Sequence, residues 1–416
     1  MRSVEEHQRV VRGLLGSTPV TSSPTAAAVG RALADDVRAP VPLPGADSSS
    51  MDGYAVRAAD VAAAAAGAPV VLPVVDDVPA GRVDVAPLEP GTAQRIMTGA
   101  VLPPGADAVV PVEATDRGRD RVAVHEPREP EAHVRRTGCD VAVGDVVLPR
   151  GTRLGSAQLG LLAALDVATV PVHAALRVLV VSTGSELVAP GQPAAPGQVH
   201  DANSTLVATT LREVGADVRV AQFVADDVEA FLALLDAETA PVGGAGDAGG
   251  AGGAGVDLVV TSGGVSEGAY EVVKDGLTAA GRGGEVEFTK TAMQPGMPQG
   301  AGRYRGVPVV CLPGNPVSAF VSCEVHLRPA VLAAQGHAVT SRPRVRLTLA
   351  EPLRSPAGKL QLRRGRADLA AGTVRPQGEA ASHFLGALAL ADCLVVLPEH
   401  VTEVAAGEQV EVWLLV

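Results

Sequence analysis

The chain has 416 residues, 47% of them hydrophobic and 2% aromatic, and carries a formal net charge of −12 at pH 7. At roughly 100–200 residues per domain this length predicts more than one domain, with cores packed mostly by Val, Leu and Ala. The acidic balance argues against nucleic acid or anionic membrane as a main partner, because both demand a basic surface.

Two helix patterns open the chain. The first carries an apolar stripe of Val4, Val10, Val11, Leu14 and Leu15 and ends at Gly13 and Gly16; the second runs from Thr25 through Val29 and Leu33 to Val37. Glu5, Glu6 and His7 lie where a signal peptide would need an apolar run. The Ala-rich segment from Val61 to Val75 is broken by Gly67, Pro69 and Pro73 and is too short to span a bilayer. Cys139, Cys311, Cys323 and Cys393 have no zinc-type spacing, which fits a reducing compartment. A soluble, cytoplasmic protein is expected.

Pro40, Pro42 and Pro44 force an extended connection into a polar segment that contains Asp52. From Val70 to about Glu131, short apolar runs alternate with Pro and Gly turns, the pattern of a compact all-β unit. A helix follows around Ala157 to Leu165, so this stretch is expected to rejoin the start of the chain in space. The reading is a discontinuous, mostly helical N-terminal domain (residues 1–45 plus 135–173) interrupted by a β-rich domain (46–134).

Residues 174–336 read as an α/β domain. Its apolar runs end in loops of glycines and acids: Thr183-Gly184-Ser185-Glu186, Asp226-Asp227, Ser262-Gly263-Gly264-Val265-Ser266, and Pro313-Gly314-Asn315-Pro316. Helical stretches between them predict parallel strands with all these loops at one edge of the sheet, where ligands bind in such folds. Glycine turns offer backbone N–H groups to an anion, and carboxylates hold a hard cation. A phosphate-bearing ligand handled with a metal is therefore expected, and a side chain at Gly264 should stand where phosphate approaches. Taken singly, Glu186 is also explained as an acid at a helix N-terminus, and Asp226 or Asp227 as an N-cap. Asn203 reads as an N-cap too. Lys274, Lys290 and Lys359 are the only lysines; the first two fall in this region, where an ammonium suits phosphate. Gly243 to Gly255 reads as a flexible, functionally silent surface loop. Alternation at Val345, Leu347, Leu349 and again at Val410, Val412, Leu414 predicts a small C-terminal β-barrel domain, residues 340–416.

An ordered set of motifs runs through the chain: D-S-S-S-M-D-G-Y-A-V (47–56), R-I-M-T-G-A (95–100), G-C-D-V-x-x-G-D (138–145), S-T-G-S-E-L (182–187), Asp201-x-Asn203, S-G-G-V-S (262–266), Q-P-G-M-P (294–298) and P-G-N-P-V-S (313–318). Together they resemble the molybdopterin molybdenumtransferase family, MoeA and the E domain of gephyrin. The resemblance implies a multidomain, elongated homodimer with the active-site cleft between subunits. It implies Mg²⁺-dependent insertion of molybdate into adenylylated molybdopterin with release of AMP. Other molybdenum cofactor biosynthesis proteins and molybdoenzyme apoproteins are the implied partners.

By that resemblance the catalytic positions are Asp52, Asp140, Glu186, Asp226, Glu271 and Lys290, with Glu186, Asp226 and Glu271 as metal ligands. Substrate contacts fall on Thr98, the residues Thr183, Gly184 and Ser185, the run Ser262 to Ser266, Lys274, the turn Pro313 to Pro316, and Ser318. Departures are visible. Glu271 stands where the family usually has Asp, Ala269 where another acid is frequent, Cys139 for a usual Glu and Ser48 for a usual Asn. Gln294 and Met297 replace two lysines found in some members, so an anion held by them is expected either to bind more weakly or to be held by Arg from elsewhere, such as Arg303 or Arg305. A catalytically weak binding or scaffold paralogue and a tungstate-inserting paralogue are the alternatives.

Overall fold

The structure is a computed structural model that describes residues 1–221, 227–239, 255–265, 271–279 and 283–415. Helix α1 (Val4–Leu14) is closed by a reciprocal cap: Glu6 N–H donates to Ser3 Oγ and Ser3 N–H donates to the Glu6 carboxylate, both at 3.1 Å. Its buried face, Val4, His7 and Val11, has the 3–4 residue spacing of one helix side and packs against the helical stretch Pro316–Ala334.

The second expected helix does not form. Thr25–Ala27 makes one turn, and the chain then runs extended. Its backbone groups are taken by neighbouring segments instead: Thr25 N–H donates to Ala168 O and Leu33 N–H to Thr152 O. Val20–Pro24 pairs antiparallel with Thr169–His173. Of the apolar residues that mimic a helical stripe, Val29 is exposed, while Leu33 and Val37 still point inward. Ala28, Leu33 and Val37 share a core with Leu148, Leu154, Leu162 and Val172, joining the two sequence segments around helix α2 (Ser156–Ala164).

Between these segments lies a five-stranded sheet in the order Ala108–Pro111, Gly53–Val56, Ala93–Ile96, Val70–Val78, Arg121–Val124. Gly53 is required by the pairing, since a Cβ there would sit 2.0 Å from Val110 O.

The central sheet has six strands: β1 (Arg177–Ser182), β2 (Asp217–Val220), β3 (Leu258–Ser262), β4 (Gly284–Lys290), β5 (Pro298–Tyr304) and β6 (Val307–Leu312). Their spatial order is β2-β1-β3-β6-β5-β4. The first four in that order run parallel, as the loop pattern predicts, and β5 and β4 extend the sheet antiparallel. The apolar residues of β1 alternate between two cores: Val178 and Val180 pack into one cluster, Leu179 and Val181 into the other. That is why the strand reads as a continuous apolar run and not as an alternation. Helices α3 (Asn203–Glu213), α4 (Val228–Thr239), α5 (Val272–Thr278), α6 (Pro316–Ser322) and α7 (Arg328–Ala334) cover the sheet.

Pro316–Ala334 is continuous through a π-type widening at Cys323–Leu327. These 19 residues are long and apolar enough to cross a membrane, but 78% of the stretch is buried inside the protein, so it is a core helix.

The C-terminal strands close on themselves: Leu360–Asp368, Thr373–Pro376, Arg344–Leu349, Gln409–Leu414 and Cys393–Leu397, which returns to the first. This small barrel is tied to the central domain by Met293–Gln294, which pairs parallel with Leu360–Gln361.

Candidate active site

The C-terminal ends of β1, β3 and β6 open onto a cavity of about 450 Å³. The loop after β1 contributes Ser182, Thr183, Gly184 and Glu186; the loop after β3 contributes Ser262, Gly263, Gly264 and Val265. Pro313, Gly314, Asn315 and Ser318 come from the turn after β6, and Asn203, Glu271 and Pro298 complete the wall. Three of the four loops picked out by sequence thus converge. Asp226 of the fourth, and Ser266, lie outside the described residues.

The loops are wired to each other. Thr183 N–H donates to Ser262 O at 3.1 Å and Gly263 N–H to Leu312 O at 3.2 Å. Asp201 Oδ1 accepts from Ser204 N–H at 3.1 Å and from Ser182 Oγ at 3.2 Å, so Asp201 and not Asn203 holds the start of α3. Asn203, read from sequence as the cap, instead reaches across the cavity floor. Its Nδ2 donates to Gly314 O at 2.6 Å and to Ser262 Oγ at 2.9 Å.

Thr183 Oγ1 and Asn203 Oδ1 are buried and have no hydrogen-bond partner, although both residues line the cavity. Buried polar atoms in folded proteins are nearly always paired, so these two mark where a polar ligand would bond.

The glycines serve close packing of the loops. Gly263 and Gly264 have φ of +96° and +63°. A Cβ at Gly263 would lie 2.7 Å from Thr183 O, in the seam between two loops. At Gly264 it would lie 2.9 Å from Val273 Cγ2, on the side of α5. This overturns the expectation that a Gly264 side chain would stand in the path of phosphate: it would strike helix α5 instead.

Glu186 is exposed and its carboxylate folds over Gly184, where a Cβ would meet Oε2 at 2.7 Å. It does not start a helix; Leu187–Val188 pairs with Val199–His200, which leaves the acid at the cavity mouth without the helix-end explanation. Glu271 is buried, just ahead of α5. Asp227 Oδ1 accepts from Glu229 N–H and Ala230 N–H and caps α4. Among the described residues no group of three His, Cys, Asp or Glu is arranged to hold a metal ion, so Glu186 and Glu271 are the acids this cavity offers.

Other expected site residues lie off the cavity wall. Ser185 is exposed, Pro316 opens α6, and Lys274 is half-buried on α5 with its N–H on Gly264 O. Lys290 ends β4 at the same rim, opposite Pro298 in register. Arg303 and Arg305 do not replace the lysines absent at Gln294 and Met297. Arg303 donates to Gly306 O and Leu14 O, and Arg305 pairs with Asp236, so both are held elsewhere.

Asp52, Thr98 and Asp140 belong to the N-terminal half. Asp52 Oδ1 accepts from Thr98 N–H at 2.7 Å and from Thr98 Oγ1 at 2.8 Å. The Thr98 amide, then its hydroxyl, holds the Asp52 carboxyl below its usual range. Asp47, which sequence reasoning passed over, repeats the device: it accepts from Thr137 N–H at 2.8 Å and Oγ1 at 2.9 Å and pairs with Arg136. Thr137 precedes Asp140, so the two clamps fix the turns that carry Thr98 and Asp140.

The sequence matches the MoeA N-terminal region (domain I and II) over residues 2–165, a "probable molybdopterin binding domain" over 179–333, and the MoeA C-terminal region (domain IV) over 346–415. It is 51% identical over 416 residues to molybdopterin molybdenumtransferase 2 of Mycobacterium tuberculosis, covering 99% of each chain. It is 34% identical over 394 residues to molybdopterin molybdenumtransferase of Haemophilus influenzae, covering 92% and 91%. A solved structure of a MoeA molybdopterin biosynthesis protein from Pyrococcus horikoshii OT3 superposes with a TM-score of 0.82 at 25% identity, over 100% of both chains. With the fold, the cavity and these matches in agreement over its whole length, the chain belongs to the MoeA family of molybdopterin molybdenumtransferases, enzymes of molybdenum cofactor biosynthesis.

Proposed function

We propose that the cavity binds adenylylated molybdopterin and molybdate, inserts molybdenum on the pterin dithiolene and releases AMP. The observation that carries this reading is the pair of buried, unpartnered acceptor and donor atoms, Asn203 Oδ1 and Thr183 Oγ1, set among glycine loops at the sheet edge. A pterin nucleotide offers amide, amine and phosphate groups to satisfy both. Glycine loops at a sheet edge let phosphate oxygens approach the backbone, and Ser318 adds a hydroxyl at the same wall.

Molybdate and a phosphate linkage are both anionic and repel each other. Glu186 and Glu271 would hold Mg²⁺ at the cavity, which suits an ion that takes one or two carboxylates and completes its shell with water and phosphate. When bound, that ion supplies neutralisation of phosphate charge. Glu186 at the mouth and buried Glu271 inside would hold that ion, since without it their own charges would repel the substrate's phosphates. Lys290 at the rim adds a point charge toward the same anion.

Asp52, Thr98 and Asp140 do not line the cavity of their own chain. In the proposed homodimer these residues from a second copy face the cavity and complete it. The proposal places the enzyme in the cytoplasm beside other molybdenum cofactor biosynthesis proteins and apoenzymes that accept its product. AMP release from adenylylated molybdopterin, measured with molybdate and Mg²⁺ present or singly omitted, tests it. Release should require both. Ligand that binds and persists unchanged would instead make the chain a binding paralogue, and tungstate outcompeting molybdate would change the metal it transfers.

A further inference from the structure

A second cavity, of about 410 Å³, lies in the seam between the N-terminal region and the central domain. Arg150 and Arg153 enter it from the turn after Val146–Leu148, Arg328 from the start of α7, and His337 from just beyond the end of α7. We infer that this seam is a binding site for a tetrahedral oxyanion of the phosphate or molybdate type, held by Arg150, Arg153, Arg328 and His337.

Among the described residues the cationic groups of this seam make no hydrogen bond to a carboxylate through their side chains, and their one ion pair, Arg328 with Glu324, is long. Arg328 Nε is buried without a hydrogen-bond partner, and Glu324 Oε2 lies 3.9 Å away. Glu324 commits both oxygens to Arg342, at 2.8 and 2.9 Å. Among the described residues the guanidinium groups of Arg150 and Arg153 have no carboxylate partner; Asp36 accepts only from the Arg150 backbone N–H. Glu213 is the one acid in the lining, and it faces Arg342 at 3.7 Å.

Helices α3 and α7 both end at this seam, and arginines often serve such ends by bonding the last carbonyls. Here those carbonyls are already used. Leu211 O, Arg212 O and Val214 O accept from Val214 N, Gly215 N and Gln335 Nε2; Val331 O, Leu332 O and Ala333 O accept from Gln335 N, His337 N and Gly336 N.

His337 is 8% exposed and has no ring partner among the described residues. Burial, then the charges of Arg153, His173 and Arg328, lower its pKa to about 4. Mutually repelling cations around a neutral imidazole are what an anion would reconcile, and its charge would draw a proton onto His337. Ser341 and Thr152 hydroxyls stand in the same wall.

Calorimetric titration of the full-length protein with sulfate, phosphate and molybdate, at low ionic strength, tests this. The double variant Arg150→Gln/Arg153→Gln alters exposed side chains and is expected to fold normally. It should weaken oxyanion binding at least about tenfold, as expected for lost charge-assisted bonds. Lysines at both positions should restore part of the affinity. A second readout is the His337 ring proton signal by NMR, assigned with His337→Gln, whose midpoint should rise when anion is added. Binding at the main cavity would survive the double variant, so the seam is recognised as the event that disappears. Molybdate at least tenfold tighter than phosphate would assign the seam to the metal oxyanion; equal affinities would assign it to phosphate-type anions in general. An isotherm unchanged by the double variant, no binding at all, or a His337 midpoint that ignores saturating anion would overturn the inference.

Discussion

Asn203 Nδ2 sits 2.6 Å from Gly314 O and 2.9 Å from Ser262 Oγ, so one amide on α3 sets the spacing of the loops that follow β3 and β6. The same side chain leaves its Oδ1 buried and unbonded toward the ligand cavity. Asn203→Ala should therefore act twice. It removes two structural bonds, at about 1 kcal/mol each, and it removes the acceptor proposed for substrate. The expected result is a modest fall in melting temperature with a loss of molybdopterin affinity of about tenfold or more. Asn203→Asp keeps an oxygen but puts a carboxylate against Gly314 O, and should bind no better. Wild-type affinity in either variant would remove Asn203 from the site.

Gly264 has φ of +63° and its missing Cβ faces Val273 at 2.9 Å. Gly264→Val should destabilise the fold by roughly 2–4 kcal/mol through backbone strain and overpacking. Thermal unfolding without ligand checks this. A variant as stable as wild type that still fails to bind would mean the side chain reaches the ligand after all.

Much of this site was legible because β1, β3 and β6 each carry a continuous apolar run (Val178 to Val181, Leu258 to Val260, Val309 to Leu312), which in a strand means burial on both faces and hence a parallel sheet. The ligand edge follows from that topology. The second helix expected over Thr25 to Val37 failed for a reason local pattern cannot carry. Leu33 and Val37 have helical spacing, yet their backbone partners, Thr152 and Val146–Leu148, are more than a hundred residues away. The role of Asn203 was hidden the same way: in sequence it sits where a cap belongs, and only the turn of the chain brings Gly314 within reach. Asp47 left a faint signal, an acid five residues before Asp52, but its meaning depends on Thr137 across the domain.

Acid should weaken the fold through its buried histidines. His7 is lowered from 6.5 to about 4, first by burial and then by the Arg2 charge, with Glu287 opposing. His337 falls to about 4 by burial and by Arg153. Both favour the neutral ring in the folded state. Their contribution is full above pH 6.5 and is lost as pH falls toward 4, at up to about 1.4 kcal/mol per pH unit for each group. Melting temperature should decline between pH 6.5 and 4, and the decline should flatten in a His7→Gln/His337→Gln protein. Histidine signals titrating near 6.5 at these positions would sink the argument.

The acids proposed for the active centre divide between two parts of the chain that do not meet within one copy: Glu186 and Glu271 on the cavity wall, Asp52 and Asp140 on turns held by Thr98 and the Asp47 clamp. If the second group serves a neighbour's cavity, its loss and the loss of Glu186 are complementary. Asp52→Ala and Glu186→Ala homodimers should each lose at least about a hundredfold in AMP release, an expectation set by the usual weight of a positioned charge in a closed site. Refolded or co-expressed mixtures should regain activity. A heterodimer of the two variants contains one cavity with both defects and one with neither, so random pairing leaves about a quarter of all cavities intact. Recovery of about a quarter of wild-type turnover would place Asp52 across the subunit boundary from Glu186. No recovery, with heterodimers shown to form, would require both acids to come from the same chain and would remove the dimer from the proposed mechanism.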